Sequence, residues 1–510
     1  MNRQDTLTSI QSHSPAVLIV GGGINGVGTF RDLTLQGVDT LLIDRADFCS
    51  GASAASSRMA HGGIRYLENG EFRLVREAVQ ERNRLIQNAP SLVKPLPTTI
   101  PIFKTFSGLL NAPLKFLGWL EKPSERGGLI IKVGLIFYDA FTGKTRSVPR
   151  HVFDNRSNSL KKYPRINPAV RYTATYYDGI ILSPERLTIE LVLDAEKEGE
   201  HARSLNYVSL AGANGSKVTL KDETTGQTFE IAPRLIINAA GPWIDGTNRT
   251  LNLSTQYIGP TKGSHLVLDN PDLRAAIGDH EFFFENKDGR IVLIFPLFDK
   301  VMIGTSDIPI ENPDSVRCTD EEVDYFIDMV GRVFPDIPVK REQIVFRFSG
   351  VRPLAYTTAR NAGQITRDHH IQEDKLGEIP VYSLVGGKWT SFRAFSEQVT
   401  DRALAYLGMP RKSDTRSLPI GDGINALALR TDAHFTHSEI AGMAEREKII
   451  HLDDLVLRRT LLGYLGHLSR PLVDELAEAL GESLGWNETQ KKAEVRRTIE
   501  ILADRHAVRL

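Results

Sequence analysis

Residues 16–26, Ala-Val-Leu-Ile-Val-Gly-Gly-Gly-Ile-Asn-Gly, decide the fold. The five apolar residues that open this stretch are typical of a short strand buried on both faces. The next six fit the pattern Gly-x-Gly-x-x-Gly, and a helix-compatible run then extends from Val27 to Gln36. A second buried strand is predicted at residues 40–43 and ends at Asp44. Strand, glycine loop, helix, strand and acid together predict an α/β unit that binds a dinucleotide.

Each part of this unit has a physical task. Gly21 permits the tight turn from strand to helix, Gly23 lets the backbone approach a pyrophosphate, and Gly26 allows the helix to pack closely on the strand. The start of the helix offers unpaired N–H groups and a positive dipole end to phosphates. The terminal acid can accept hydrogen bonds from a ribose diol, in NAD or in FAD. The predicted cofactor contacts of this unit are Gly21, Gly22, Gly23, Asn25, Gly26 and Asp44.

The composition of the 510 residues is that of an ordinary globular protein, with 41% hydrophobic and 25% charged residues. A net charge of −1 argues against a nucleic-acid partner bound through counterion release. Two cysteines, Cys49 and Cys318, are too few for a disulfide framework or a four-cysteine zinc site, and no His/Cys/Asp cluster has metal-ligand spacing. We therefore predict a cytoplasmic protein with no metal and no nucleic-acid partner.

A small, hydroxylated stretch follows at residues 50–58, Ser-Gly-Ala-Ser-Ala-Ala-Ser-Ser-Arg, and continues as Met-Ala-His-Gly-Gly-Ile-Arg-Tyr-Leu. Hydroxyl groups can donate to cofactor phosphates, although composition alone fits a flexible loop equally well. Residues 53–68 closely resemble the signature of FAD-dependent glycerol-3-phosphate dehydrogenases. The main departure is Arg58, where that family is expected to have lysine.

Five further motifs match the same family in the same order. They are residues 235–243, 259–265, 303–307, 348–354 and 385–393. The resemblance covers residues 15–400 and is less clear beyond them. It implies the aerobic, quinone-linked type of enzyme: FAD-dependent oxidation of sn-glycerol 3-phosphate to dihydroxyacetone phosphate, by hydride transfer to flavin N5, with electrons passed to quinone.

The resemblance also implies the fold class, an α/β protein with a Rossmann-like FAD-binding domain and an inserted antiparallel-sheet substrate domain, as in amino-acid-oxidase-like flavoproteins. A C-terminal helical domain is predicted from charged and apolar residues that alternate at helical spacing. There, Asp453-Asp454 and Arg458-Arg459 are interpreted as a solvated or salt-bridged helix face. The predicted domains are 15–75, 150–245 and 345–406 for FAD, 76–149 and 246–344 for the substrate or cap, and 407–510 at the C-terminus.

Oxidation of a phosphorylated alcohol by a flavin requires a base for the hydroxyl proton and positive charge near the reduced ring and the phosphate. His61 and His265 are the candidate bases, because histidine titrates near neutral pH. Arg352 is an alternative that orients the hydroxyl or accepts its proton through water. The predicted catalytic residues are His61, His265, Arg352 and Lys388, and the predicted substrate-binding residues are Arg65, Tyr66, Arg352 and Lys388.

The remaining cofactor contacts come from the family motifs. A helix predicted from Thr390 to about Tyr406 would point its N-terminus at the flavin pyrimidine edge. Asp307 is predicted to close a strand or turn. The cofactor contacts implied outside the glycine loop are Ser56, Ser57, His61, Gly62, Gly63, Gly241, Gly387, Trp389 and Thr390.

Residues 103–119 raise the question of a membrane. Their lysines and bulky apolar residues suit an interfacial helix, whereas Pro113 and the same pattern also fit a helix packed on the sheet. Since the family hands electrons to quinone, we predict peripheral attachment to the inner face of the cytoplasmic membrane. No run of about 18 apolar residues predicts a transmembrane helix, and residues 1–15 are predicted to be a short disordered arm.

Several alternatives stay open at this stage. The substrate could be another polyol phosphate, such as erythritol phosphate, and oxygen could replace quinone as the acceptor. An FAD-dependent amino-acid or amine oxidase would share the fold, and a non-catalytic dinucleotide-binding regulator would need only the glycine loop. The oligomeric state is also open, with a homodimer as one candidate.

Overall fold

A computed structural model describes residues 3–64, 71–104, 128–141, 147–286, 291–357, 368–421 and 429–510. Arg65 and Tyr66, predicted to bind substrate, and residues 105–119 of the predicted interfacial segment lie outside the described residues. Within the described part of the chain, no helix is both long and apolar enough to cross a membrane.

The strands are β1 (Val17–Val20), β2 (Thr40–Ile43), β3 (Met59–Ala60), β4 (Val93–Ile102), β5 (Val152–Asn155), β6 (Tyr172–Ile181), β7 (Ala202–Leu205), β8 (Val208–Asn214), β9 (Lys217–Asp222), β10 (Thr228–Ile231), β11 (Leu235–Asn238), β12 (Thr261–Leu268), β13 (Glu281–Glu285), β14 (Ile291–Leu297), β15 (Lys300–Gly304), β16 (Ile308–Pro309), β17 (Ile344–Arg352), β18 (His370–Leu376) and β19 (Ile379–Val385). The helices are α1 (Arg3–Ser12), α2 (Ile24–Leu35), α3 (Phe72–Asn88), α4 (Gly128–Phe141), α5 (Arg156–Lys162), α6 (Pro184–Glu196), α7 (Ile244–Thr250), α8 (Pro271–Ile277), α9 (Asp320–Val333), α10 (Phe392–Leu407), α11 (His437–Arg446), α12 (Arg470–Leu484) and α13 (Glu488–His506). Two short helical segments, Leu452–Asp454 and Leu455–Arg459, precede α12.

Strand β1 lies inside a six-stranded sheet in the order β18-β19-β11-β1-β2-β7. It pairs in parallel with β2 and β11, β7 and β19 extend the parallel sheet on either side, and β18 forms an antiparallel edge. Every residue of β1 and β2 is buried, as expected for strands covered on both faces. Helices α2, α6 and α10 share one apolar core with β1. The predicted Rossmann-like domain is confirmed.

The larger sheet has ten strands in the order β16-β12-β15-β14-β13-β4-β6-β3, with β17 paired to β12 and β5 paired to β6. All of its pairings are antiparallel except that of β13 with β4. It confirms the predicted antiparallel-sheet insertion. Strands β3, β5 and β6 and all of β17 but Ile344 join this sheet from ranges predicted for the FAD domain. Alternation along a strand identifies its buried face but does not say which sheet it joins.

The C-terminal helical domain is also confirmed. Helices α11, α12 and α13 pack on one face of the larger sheet, where Phe346 and Phe348 of β17 share an apolar cluster with Leu455, Leu461 and other residues of the C-terminal helices. This cluster joins the C-terminal domain firmly to the sheet that walls the site.

The prediction of a disordered N-terminal arm is wrong, because α1 occupies Arg3–Ser12. Leu7 and Ile10 are buried in an apolar cluster with Val218 and other residues of the three-stranded sheet β8-β9-β10. In addition, Arg3 Nη2 donates to Asp222 Oδ1 at 2.7 Å. The polar composition of the arm concealed two apolar residues that lie on one side of a helix.

Candidate functional site

A cavity of about 1360 Å³ runs between the two main sheets and the C-terminal helices. A volume of this size exceeds the roughly 300–1,000 Å³ of an ordinary small-molecule site, so it can hold a large cofactor and a substrate together. The predicted site residues that line it are Gly21, Gly23, Asn25, Asp44, Ser56, Ser57, His61, Gly63, Gly241, His265, Arg352, Gly387, Lys388 and Trp389. Four other predicted site residues do not line it, namely Gly22, Gly26, Gly62 and Thr390.

The glycine loop at the end of β1 leaves no space for side chains. Gly21 has a φ of +113°, and a Cβ atom there would lie 2.6 Å from the carbonyl oxygen of Ala239. A Cβ at Gly26 would lie 1.9 Å from the carbonyl oxygen of Gly21, because the first turn of α2 packs directly on the loop. Both positions therefore require glycine, for the tight turn and the close helix approach that the sequence pattern predicted.

Asp44 ends β2 at the wall of the cavity. Its Oδ2 accepts the N–H of Gly22 at 2.6 Å and its Oδ1 accepts the N–H of Ala46 at 2.9 Å. Burial raises the pKa of this carboxyl to about 6, although both hydrogen bonds oppose the shift. A ligand diol that donates to the carboxylate would stabilise its charged form.

The start of α2 has a partner that the sequence did not identify. Ser53 Oγ accepts the N–H of Ile24 at 2.9 Å, so the hydroxyl-rich segment reaches over the helix start. Asn25 Nδ2 donates to the carbonyl oxygen of Gly386 at 3.0 Å, whereas Asn25 Oδ1 is buried and accepts no hydrogen bond from the described residues. A buried acceptor at the wall of a large cavity calls for a donor on a ligand. The N–H groups of the glycine loop fit the phosphates of FAD, and the two acceptors, Asn25 Oδ1 and the acid, fit its hydroxyl or N–H donors.

The loop of His61, Gly62 and Gly63 is held from behind by a buried carboxylate. Asp178 Oδ1 accepts the N–H of Gly62 at 2.8 Å and the hydroxyl of Tyr138 at 2.6 Å. A Cβ at Gly62 would lie 2.0 Å from that same hydroxyl, so the loop lies directly on the ring. Asp178 was not predicted as a site residue, because nothing in its local sequence pattern distinguishes it from other acids.

Two side chains predicted to contact flavin join segments around the cavity to one another. Trp389 Nε1 donates to the carbonyl oxygen of Ser53 at 2.9 Å, and Thr390 Oγ1 donates to that of His61 at 3.1 Å. Helix α10 begins two residues later and ends at Leu407, as predicted. Trp389 lines the cavity, while the Thr390 side chain fixes the His61 loop.

Arg352, the last residue of β17, extends its guanidinium along the cavity wall. Nη1 donates to Asp307 Oδ1 at 3.1 Å, and Nη2 donates to Thr305 Oγ1 at 2.8 Å and to the carbonyl oxygen of Ser306 at 3.1 Å. A Cβ at Gly263 would lie 2.2 Å from Nη2 and 2.6 Å from Cζ, so the group rests against bare backbone. Asp307, predicted to close a turn, lines the cavity as the ion-pair partner of this arginine.

The loop that holds Arg352 is itself anchored by a buried network. Ser306 Oγ donates to Glu322 Oε1 at 2.5 Å, and Lys262 Nζ donates to Glu322 Oε2 at 2.8 Å. Ser306 Oγ also accepts the N–H of Ser264 at 2.9 Å. Because these groups are buried and paired, the position of the guanidinium is fixed by rigid elements on both sides.

His265 lies on β12 with its ring stacked on Phe348, at 4.8 Å between centroids. Its Nε2 lies 2.9 Å from Ser57 Oγ. Burial, assisted by the positive charges of Arg352 and Arg58, lowers its pKa to about 3. The imidazole is therefore neutral at physiological pH and is a weak proton acceptor. His61 is less buried and lines the same cavity.

Lys388 enters the cavity from the other sheet, in the turn that follows β19. The turn is sharp: Gly387 has a φ of +91°, and a Cβ there would lie 2.5 Å from Asn25 Nδ2. The cavity thus brings together a lysine from the Rossmann-like domain and an arginine from the larger sheet. We call the part of the cavity lined by Gly21, Asp44 and Ser56 its cofactor end, and the part lined by Arg352 and Lys388 its cationic end.

Comparison with known proteins agrees with this architecture. Residues 16–375 match the family described as FAD dependent oxidoreductase. A protein of Synechocystis sp. named glycerol-3-phosphate dehydrogenase is 36% identical over 472 residues, which cover 87% of this chain and 79% of that protein. A protein of Brucella abortus named D-erythritol 1-phosphate dehydrogenase is 32% identical over 390 residues, covering 75% of this chain and 72% of that protein. The fold also resembles the FAD complex of the Bacillus halodurans glycerol-3-phosphate dehydrogenase, with a TM-score of 0.73 and 20% identity over 99% of this chain and 97% of the other.

Proposed function

The chain belongs to the FAD-dependent oxidoreductase family, within its glycerol-3-phosphate dehydrogenase branch, and we propose that it oxidises sn-glycerol 3-phosphate to dihydroxyacetone phosphate and passes the electrons to a quinone. One observation carries the choice of substrate: Arg352 and Lys388 face one cavity from two different sheets. Two cations on separate walls suit a small dianion, and the arginine fork matches phosphate oxygens.

Four parts of the chain would hold the FAD. The glycine loop and the start of α2 would bind its pyrophosphate, and Asp44 would accept hydrogen bonds from its ribose. Ser56, Ser57, His61 and Gly63 would contact it, and Gly241, Gly387 and Trp389 complete the lining. When bound, FAD supplies the acceptor for the hydride that leaves the carbinol carbon.

The protein's own task in the reaction is to bind the phosphate and to remove the hydroxyl proton. As the carbinol C–H bond breaks, the C–O bond becomes a carbonyl and its proton must leave to a base. We assign the proton to His61, since His265 is held neutral and weakly basic. Arg352, fixed by Asp307 and the Thr305–Ser306 backbone, would orient the hydroxyl or the phosphate without moving. Arg65 and Tyr66 are proposed as further phosphate contacts.

A surface close to this site would suit a membrane. Leu129, Val133, Ile136 and Phe137 of α4 are each 45–53% exposed and recur at the spacing of one helix face. On its other side, α4 places Tyr138 against Gly62, which lies between the cavity-lining residues His61 and Gly63. We propose that this apolar face rests on the inner surface of the cytoplasmic membrane, where a quinone can approach the flavin.

Anaerobic bleaching of the flavin tests the substrate. We expect sn-glycerol 3-phosphate to bleach the absorbance of the holoenzyme, glycerol and glycine to leave it unchanged, and inorganic phosphate to slow the bleaching competitively. Bleaching by glycine with no effect of phosphate would instead identify an amino-acid oxidase.

D-erythritol 1-phosphate belongs in the same panel, because one relative carries that substrate in its name. Faster bleaching by the four-carbon phosphate would reassign the substrate while leaving the chemistry in place. Reoxidation of the bleached enzyme by a quinone analogue, compared with oxygen alone, then tests the acceptor.

A further inference from the structure

We propose that the C-terminal helical domain is a part of the FAD site, because residues 453–464 hold in place the two loops that line the cofactor end of the cavity. Docking of this domain and binding of FAD would then favour one another. The inference requires that the chain binds FAD, but it does not depend on which substrate is oxidised.

The first loop follows β2 and carries Asp44. Three residues further on, Asp47 is fully buried, and it accepts hydrogen bonds from Arg458 Nε at 2.6 Å and from Arg459 Nη1 and Nη2 at 2.7 and 2.9 Å. Although burial opposes ionisation, these two guanidinium groups hold the pKa of Asp47 below its usual value. The carboxylate is therefore charged and tied to the C-terminal domain.

The same connection is reinforced beside this loop. Tyr207 joins the C-terminal domain to this loop. Its hydroxyl donates to Asp454 Oδ1 at 2.6 Å, and its N–H donates to the carbonyl oxygen of Ala46 at 3.0 Å. Arg459 Nε in turn donates to the carbonyl oxygen of Glu447 at 3.0 Å, inside the C-terminal domain. Asp453 and Asp454 with Arg458 and Arg459 are thus salt-bridged and buried, and the solvated alternative is wrong.

The second loop is the hydroxylated segment that ends at Arg58. Its guanidinium lies over the ring of Tyr464, at 4.2 Å from the centroid, and Nη1 donates to the carbonyl oxygen of Leu182 at 2.7 Å. The hydroxyl of Tyr464 donates to Glu185 Oε1 at 3.0 Å. A C-terminal tyrosine therefore sets the position of the residue that follows Ser56 and Ser57.

The same C-terminal segment also reaches the cavity itself. Asp453, Leu457, Arg458 and Tyr464 line it together with Asp47. Breaking the buried pairs of Asp47 would leave charges uncompensated, so the first loop is held while the domain is docked, and the ring of Tyr464 holds Arg58 of the second loop. Because coupling between two binding events is reciprocal, bound FAD must in turn stabilise the docked domain.

Hydrogen exchange of the holoenzyme, with excess FAD and after FAD has been removed, tests the reciprocal effect. We expect FAD to slow exchange at least tenfold in peptides covering residues 452–464, and to leave those covering α12, residues 470–484, nearly unchanged. Equal exchange of residues 452–464 with and without FAD would overturn the proposal.

A substitution tests the forward effect. Tyr464→Leu keeps an apolar side chain but removes the ring over Arg58 and the hydrogen bond to Glu185. We expect FAD to leave this holoenzyme at least ten times faster than the wild type, as measured by the recovery of free FAD fluorescence. Arg470→Met, which removes an exposed pair with Asp474 in the same domain, is the control and should release FAD at the wild-type rate. Release from folded Tyr464→Leu within twofold of wild type would contradict the proposal; should that variant not fold, hydrogen exchange of the wild type decides.

Discussion

Gly263→Ala places a methyl group where the guanidinium of Arg352 now lies. The added Cβ would be 2.2 Å from Nη2, whereas an ordinary contact needs at least 3.4 Å, so the guanidinium must move by roughly 1 Å. It cannot do so and keep its bonds to Asp307, Thr305 and the Ser306 backbone, because that loop is anchored on Glu322. A displacement of about 1 Å at a positioning group costs on the order of 100-fold in rate, or about 2.7 kcal/mol of transition-state stabilisation.

The assay is anaerobic stopped-flow bleaching of the flavin by sn-glycerol 3-phosphate, with FAD content measured on the same samples. We expect Gly263→Ala to retain FAD, since it lies at the cationic end of the cavity, and to lose about 100-fold in kcat/KM. Gly331→Ala is the matched control: it lies exposed on α9 with nothing within 4 Å of the added methyl, and should keep full activity. Full activity of folded Gly263→Ala would refute the placement of Arg352 in the reaction.

Three further outcomes follow from the site. His61→Ala should slow bleaching by about 10²–10⁴-fold with FAD retained. His265→Ala removes an already neutral imidazole and should leave the pH profile of bleaching above pH 5 unchanged. A larger loss of rate in His265→Ala than in His61→Ala would exchange their roles. Because burial raises the pKa of Asp44 to about 6, ionisation of this carboxyl lowers the stability of the FAD-free protein as pH rises from about 4 through 6. FAD binds the carboxylate form, so FAD titrations should show weaker binding at pH 5 than at pH 7.5. Asp44→Asn should abolish that difference. Ile136→Glu should reduce co-sedimentation with anionic vesicles, while Tyr406→Glu, at an exposed aromatic position on α10, should not. Equal binding of both variants would argue against the α4 face.

The parts of the fold that local pattern decides could be predicted from the sequence. The apolar strand, the glycines and Asp44 lie within 30 residues, and each is constrained by its neighbours in the chain. The family motifs then placed Arg352 and Lys388 in one pocket, which the structure shows as one cavity. Their chemical roles stay predictions.

The parts that were missed depend on contacts between distant residues. Asp47 and Arg458 are 411 positions apart, and a charged run in a helical pattern gives no sign that it will be buried against an acid near the other end of the chain. For the same reason Asp178 was overlooked and Asp307 was assigned only to a strand or turn, since each acquires its role only when β6 or the loop after β15 reaches the cavity. The membership of β5, β6 and β17 in the larger sheet likewise depends on pairing that no single strand encodes.

The parallel pairing of β1 with β11, and of β11 with β19, has a consequence for biosynthesis. The glycine loop leaves the ribosome early, but the strand and turn that complete its surroundings lie some 360 residues later. At roughly 5–20 residues per second, the two are made about 20–70 s apart. Strands β1 and β2 have all their partners once β11 has been made, but the turn after β19 that lines the same cavity comes only in the last third of the chain. FAD therefore has no complete pocket to enter during most of translation.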